Sequence, residues 1–220
     1  MIDWAWLADH VPALIFRTGQ HLYLAAIAVS AGLAISLALG VIAARRRRLY
    51  PPFSLATGLV YTLPSLALFA ALVPIVGLSV VTAEVPLVVY TLVILFRNVV
   101  AGFDAIPPEV REAADAMSYG SRSRLLDVEL PLALPLIIAG VRVATVSTIG
   151  LVTITATLGD AFGGLGYFIY EGARRSFPTE IYAGAIPVIL LALALDRLIV
   201  RVQARLTPWA PHRADGAPAR

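Results

Sequence analysis

Uncharged segments long enough to cross a lipid bilayer dominate this chain. Residues 22–44 carry no charged side chain, and as an α-helix they would extend roughly 34 Å, more than the ~30 Å hydrocarbon core of a membrane. A chain in hydrocarbon must satisfy its backbone N–H and C=O groups internally, which a helix does. The sequence therefore predicts an all-α integral membrane protein, with five transmembrane helices at about 22–44, 54–76, 85–103, 132–158 and 181–200.

The composition agrees with a membrane protein and excludes several kinds of chemistry. Of the 220 residues, 59% are hydrophobic and 14% are charged, far from the proportions of a soluble domain. The chain has no cysteine, and all 17 basic residues are arginine, so it lacks thiolate ligands, a cysteine nucleophile and the lysine of an ATP-binding P-loop. His10, His21 and His212 lie at or beyond the edges of the predicted spans. We therefore expect no catalytic residue, metal or cofactor on this chain.

The arginines predict how the helices are oriented. Residues 45–48 are four consecutive arginines directly after the first apolar segment, and basic residues beside a span mark its cytoplasmic end. This topology places the N-terminus outside and the loop 104–131 in the cytoplasm, and it explains the basic residues without nucleic-acid binding. Residues 1–19 are expected to form an amphipathic segment at the membrane surface, 20–205 the transmembrane domain and 206–220 a disordered cytoplasmic tail.

A short charged helix is predicted inside the cytoplasmic loop. Apolar residues recur there at helical spacing and form one stripe, namely Val110, Ala113, Ala114 and Met117. Pro107 and Pro108 favour a helix start, and Gly120 favours a stop. Such a helix is too polar for hydrocarbon, so it would present its apolar face to a partner in the cytoplasm. A solvated connecting helix without a partner fits the periodicity equally well.

The residues of this loop resemble the EAA loop of the permease subunits of ABC importers. Glu112-Ala113-Ala114 is followed by Ser118, where the family usually has glycine, and then by Val128, Leu130 and Pro131. The resemblance implies the type I permease fold and a coupling helix that docks on a separate ATPase subunit, which would bind ATP and Mg²⁺. The coupling residues that it implies are Glu112, Ala113, Ala114, Met117, Ser118 and Gly120.

A second group of motifs is similar to the permeases of osmoprotectant importers. It comprises the segment YTLPSLAL at 61–68, the pair Arg97-Asn98 and a Gly-Leu-Gly segment at 164–166. The resemblance implies a translocation pathway for a compatible solute such as glycine betaine or choline, in the cell membrane of a prokaryote. It also implies a second permease subunit, identical or paralogous, and an extracytoplasmic substrate-binding protein. The pathway candidates are Tyr61, Thr62, Pro64, Ser65, Asn98, Thr153 and Thr155.

Other functions remain open at this point. Permeases for methionine or another small solute share the coupling loop and the five-span plan. A stand-alone secondary transporter would normally need intramembrane carboxylates, and no Asp or Glu lies securely inside a predicted span. An intramembrane enzyme would need paired histidines or a serine–histidine pair within a span, and the sequence offers neither.

Arg142 and a later aromatic cluster also require contacts. Arg142 interrupts the fourth predicted span, where an unpaired charge costs about 2.5–3.5 kcal/mol, so we expect it to make a structural contact within the bundle or across a permease dimer. Tyr167, Phe168 and Tyr170 are suited to an aromatic belt at the outer surface. Binding of a quaternary ammonium there would require their ring faces to converge.

Overall fold

A computed structural model describes residues 2–159 and 161–210, and within these residues the chain forms helices and no strand. The helices are α1 (Trp4–Asp9), α2 (Val11–Arg45), α3 (Tyr50–Tyr61), α4 (Ser65–Val76), α5 (Val80–Asp104), α6 (Pro108–Ala116), α7 (Ser121–Leu158), α8 (Gly166–Arg174) and α9 (Pro178–Leu206). α7 includes a π-helical segment, Arg124–Glu129, and ends in a 3-10 segment, Thr153–Leu158. Most of the predicted tail, residues 211–220, lies outside the described part of the chain.

Four of these helices, α2, α5, α7 and α9, are long and apolar enough to cross a membrane. A fifth candidate span is a bent pair, in which the helix ending at Tyr61 and α4 meet at 92°. The prediction of an all-α membrane protein is therefore confirmed. The N-terminus-out orientation stays a prediction.

Pro64 explains why the predicted span 54–76 is divided into α3 and α4. Proline has no N–H to donate, and it disfavours helical geometry in the residue before it. The carbonyl of Leu63, freed at this break, accepts a hydrogen bond from the hydroxyl of Tyr90 on α5. The bend is thus held by a side chain from the neighbouring span, as a break at membrane depth requires.

Two helices extend beyond their predicted spans. α2 begins at Val11, so residues 11–19 of the predicted surface segment continue directly into the span. His21 is fully buried there: its Nε2 lies 2.9 Å from the carbonyl oxygen of Ile149, and its Nδ1 accepts from the N–H of Leu165. At the other end of the molecule, α7 begins inside the predicted loop 104–131, because Leu125 and Leu130 pack against the buried cluster of α5.

α5 lies at the centre of the bundle and packs against α2, α3, α4 and α7. Glycines allow two of these approaches. A Cβ atom added at Gly40 of α2 would lie 2.4 Å from Val99, and one added at Gly102 of α5 would lie 2.8 Å from the backbone carbonyl oxygen of Ala133 on α7. Close packing through small residues is a common way for helices to associate in membranes.

Substitution of Gly102 by alanine is expected to destabilise the bundle by about 1–3 kcal/mol, because the new methyl group would overlap a backbone atom that no rotamer change can move. The measurement is the thermal unfolding midpoint of the detergent-solubilised protein. Gly19→Ala is the matched control, since no atom lies within 4 Å of its added Cβ. This control should unfold at or above the wild-type midpoint. Equal midpoints for both variants would contradict the packing argument.

Candidate coupling and translocation sites

α6 is a short polar helix that connects the end of α5 to the start of α7. Pro107 precedes its first turn, and Glu109 in that turn lies where a carboxylate favours the helix dipole. Among the coupling candidates, those exposed to solvent are Glu112, Ala113, Met117, Ser118 and Gly120. These five exposed residues form the predicted docking face.

Part of the predicted apolar stripe of α6 faces the bundle, and part of it is exposed. Ala114 is 1% exposed, and Val110 packs against the buried cluster that contains Val99 and Phe103. Met117 is 65% exposed. The single stripe predicted from the sequence therefore serves two purposes: Val110 and Ala114 attach the helix to the bundle, while Ala113 and Met117 remain available to a partner.

α6 ends at Ala116, and the left-handed residue that follows it is Ser118 rather than Gly120. Ser118 has φ +59°, and its N–H donates to the carbonyl of Asp115 at 2.9 Å while the N–H of Tyr119 donates to that of Ala114 at 3.1 Å. This pair of bonds is a Schellman motif, whose left-handed residue is usually glycine. Gly120 has φ −64° and instead caps the start of α7. The left-handed backbone gives a physical reason for glycine at this position in the family that the loop resembles.

Substitution of Ser118 by glycine is expected to stabilise this helix end by about 0.4–1 kcal/mol, because glycine adopts a positive φ without steric cost. Hydrogen exchange at the amides of Ser118 and Tyr119, which form the motif, should slow about two- to five-fold for that change. Gly120→Ala is the matched control, because its φ is negative and no atom lies within 4 Å of its added Cβ. Faster exchange in Ser118→Gly would contradict the assignment.

Ion pairs join α6 to α7, and a hydrogen bond joins it to α5. Arg124 of α7 bonds to Asp115 of α6 and lies 3.4 Å from the carboxylate of Glu129. Arg111 of α6 lies 3.6 Å from the same carboxylate, and its Nη2 donates to the carbonyl of Phe103 at 2.5 Å. Glu129 is 7% exposed. A displacement of α6 would therefore be transmitted to both α5 and α7.

A cavity of about 460 Å³ lies beside the break between α3 and α4. Tyr61 and Ser65, both predicted pathway residues, line it from the two sides of the break, and Tyr90 and Thr148 line it from α5 and α7. The rings of Tyr61 and Tyr90 are 5.6 Å apart with 63° between their planes. No acidic side chain lines this cavity within the described residues.

The other pathway candidates lie elsewhere. Thr62 and Asn98 line two neighbouring cavities, and Pro64 lies at the break itself. Thr153 and Thr155 donate their hydroxyls to the carbonyls of Gly150 and Val152, and neither lines the cavities around the break. Tyr90 was not among the predicted pathway residues. It lies seven residues, or two helical turns, before Arg97 and therefore on the same helical face, and this spacing could have identified it.

Arg142 and the aromatic cluster that follows the glycine segment have structural partners. Arg142 forms a two-pronged ion pair with Asp196, which answers the expectation of a contact within the bundle. The guanidinium of Arg17 lies 4.1 Å from the centre of the Tyr167 ring, and Phe168 is 2% exposed. Tyr167 and Phe168 therefore pack against their neighbours. In the part of the chain that the structure describes, no group of His, Asp and Glu is placed to hold a metal ion.

Comparison with known proteins gives consistent matches. The sequence profile of the binding-protein-dependent transport system inner membrane component family matches residues 36–210. The chain is 37% identical to the osmoprotectant import permease protein OsmW of Salmonella typhimurium, over 92% of this chain and 96% of that protein. It is 33% identical to the glycine betaine/carnitine/choline transport system permease protein OpuCB of Bacillus subtilis, over 89% of each chain.

Solved structures show the same fold. The inward-facing MetNI methionine ABC transporter matches with a TM-score of 0.75 at 22% identity, over 90% of this chain and 96% of that chain. An amino acid ABC transporter matches with a TM-score of 0.65 at 15% identity, over 96% of this chain and 100% of that chain. Because the sequence profile spans most of the chain and the helices have the permease arrangement, this multi-pass membrane protein belongs to the family of binding-protein-dependent transport system inner membrane components.

Proposed function

We propose that this chain is the permease subunit of an ABC importer for an osmoprotectant, such as glycine betaine or choline. The observation that carries the substrate class is the 37% identity to an osmoprotectant import permease along 96% of that protein's length. The likeness to a methionine transporter is at 22% identity and concerns the fold. ATP and Mg²⁺ would bind to a separate ATPase subunit, and an extracytoplasmic protein would deliver the solute to a pair of permease subunits.

The proposed mechanism moves the spans through α6. Closure of an ATPase dimer on ATP would draw the docking faces of two permease subunits together. The Arg124–Asp115 bond and the salt bridges to Glu129 would carry this displacement into α7, and the hydrogen bond from Arg111 to the Phe103 carbonyl would carry it into α5. Both helices line the cavity at the break, so its opening to one side of the membrane would be linked to the state of the ATPase. ATP binding to the ATPase would thus shift the equilibrium between two packing arrangements of the same helices.

Uptake measurements test the proposal. A transport-deficient host would express the chain with its candidate ATPase and binding protein, and would be given labelled glycine betaine, choline or methionine. We expect uptake of glycine betaine or choline that disappears when the ATPase is omitted. Uptake that persists without the ATPase would contradict the importer mechanism. ATPase-dependent uptake of methionine alone would keep the mechanism and contradict the osmoprotectant assignment.

A further inference from the structure

The cavity beside the helix break combines aromatic rings with an absence of negative charge. Its two rings, Tyr61 and Tyr90, come from different spans, and the hydroxyl of Tyr90 is bonded to the Leu63 carbonyl at the break. This bond fixes the Tyr90 ring, which is 7% exposed. Tyr61 is 52% exposed and ends α3. With no carboxylate lining this cavity in the described chain, a cation there would be bound by ring faces and hydroxyl dipoles.

A second cavity, of about 340 Å³, shares Tyr61 with the first. Its lining includes Arg97 and Asn98 of α5 and Gly58 of α3. A guanidinium nitrogen of Arg97 lies 3.8 Å from the position that a Cβ of Gly58 would occupy, so the charge lies against α3. Gly58 precedes Tyr61 by three residues, or ~4.5 Å along a helix. A positive charge and the tyrosine pair are thus separated by about one helical turn.

Thr148 is a further unusual group at the first cavity. Its side chain is 1% exposed, and its hydroxyl has no hydrogen-bond partner among the described residues, not even the carbonyl one turn earlier. Threonine in a helix commonly makes that bond. A buried hydroxyl without a partner is unfavourable, so a polar group of a solute in the cavity would supply a hydrogen bond that the protein does not.

From these contacts we propose that Tyr61 and Tyr90 form a transient binding site for a quaternary ammonium group within the permease, and that Arg97 receives the carboxylate of the same solute. A cation in the angle between the two rings can lie within about 6 Å of both centroids. A short linker then brings a carboxylate towards the guanidinium, where a charge-assisted bond can form. The site is therefore complementary to zwitterionic betaines, and choline, which has no carboxylate, would use only the ring half.

This inference rests on the proposed function, because it needs a quaternary ammonium solute to pass through the permease. A site within the permease can be distinguished from selection by an external binding protein. When the binding protein is kept unchanged, a permease variant alters only the site within the spans. The wild-type protein tests the proposed function, and the variants test the site.

The test compares initial uptake rates of glycine betaine and choline at low concentration, normalised to the amount of protein in the membrane. Tyr61→Phe keeps the ring and should stay within two-fold of wild type, whereas Tyr61→Leu should lower uptake of both solutes about five-fold. Arg97→Gln should lower glycine betaine uptake at least five-fold and choline uptake less than two-fold. Tyr182→Leu is the matched control, since Tyr182 is also 52% exposed but lies on α9, away from both cavities.

The outcomes distinguish the proposed function from the proposed site. Wild-type protein that transports neither solute would overturn the proposed function, and this site with it. Wild-type transport together with equal rates for Tyr61→Phe and Tyr61→Leu would overturn the site alone. An equal loss of both solutes in Arg97→Gln would overturn the role of Arg97. If Tyr61→Leu does not accumulate, Tyr61→Met serves in its place, because a flexible apolar side chain fills the position without a ring face.

Discussion

Replacement of Glu112 by lysine is expected to reduce ATPase-dependent uptake to the level measured without the ATPase, while the protein still inserts and folds. Glu112 is exposed on α6 and is not part of the Arg111, Arg124, Asp115 and Glu129 ion pairs of this region. Its substitution therefore removes no described salt bridge. Reversal of a charge at a complementary interface costs several kcal/mol, which is sufficient to prevent docking at cellular concentrations. Co-purification of the ATPase measures the docking directly.

Met117→Asp provides an independent test of the same face. Met117 is 65% exposed and apolar, so an aspartate there should weaken docking without loosening the bundle. Ala114→Asp is a different experiment: Ala114 is 1% exposed, and a carboxylate would detach α6 from the spans and lower stability as well as transport. Asp127→Lys, an equal charge change at an exposed site on α7, is the control. Normal uptake by both Glu112→Lys and Met117→Asp, at wild-type membrane levels, would contradict coupling through α6.

Local patterns in the sequence were sufficient to predict most of the helices and the position of α6. Apolar length predicted the spans, and helical spacing with Pro107 and Pro108 predicted α6. The same reasoning placed the end of α6 at Gly120, because glycine is the usual left-handed residue. The left-handed residue is Ser118. Residue types alone could not identify Ser118 as this residue. The packing of Val110 and Ala114 against the bundle determines where the helix leaves it.

Contacts between residues that are far apart in the chain could not be predicted from the sequence. The break at Pro64 frees the carbonyl of Leu63, and its partner is Tyr90, 27 residues from Leu63 along the chain. Thr153 and Thr155 were predicted pathway residues. Their hydroxyls bond to backbone carbonyls of their own helix, whereas Thr148 of the same helix lies at the cavity. One-dimensional periodicity places residues on a face, and the neighbouring helices determine what that face contacts.

The ion pair between Arg142 and Asp196 should be the polar contact whose loss destabilises the spans most. Nε of Arg142 donates to Oδ1 of Asp196 at 3.0 Å and Nη2 donates to Oδ2 at 3.1 Å, which joins α7 to α9. About a third of each side chain is exposed on the isolated subunit. Asp196→Asn would leave Arg142 as an unpaired charge within a span, at a cost of about 2.5–3.5 kcal/mol.

Four variants separate pairing from packing in an unfolding experiment on the reconstituted protein. Asp196→Asn and Arg142→Gln should each lower the free energy of unfolding, and Asp196→Asn should lower it more because it leaves the arginine charged. The double variant Arg142→Leu with Asp196→Leu should lie near wild type, since apolar replacement of both partners removes the desolvation cost together with the attraction. Arg201→Gln, an exposed arginine further along α9, is the control. A double variant as unstable as the single variants would show that these positions act through shape, and that their charges contribute little to holding α7 against α9.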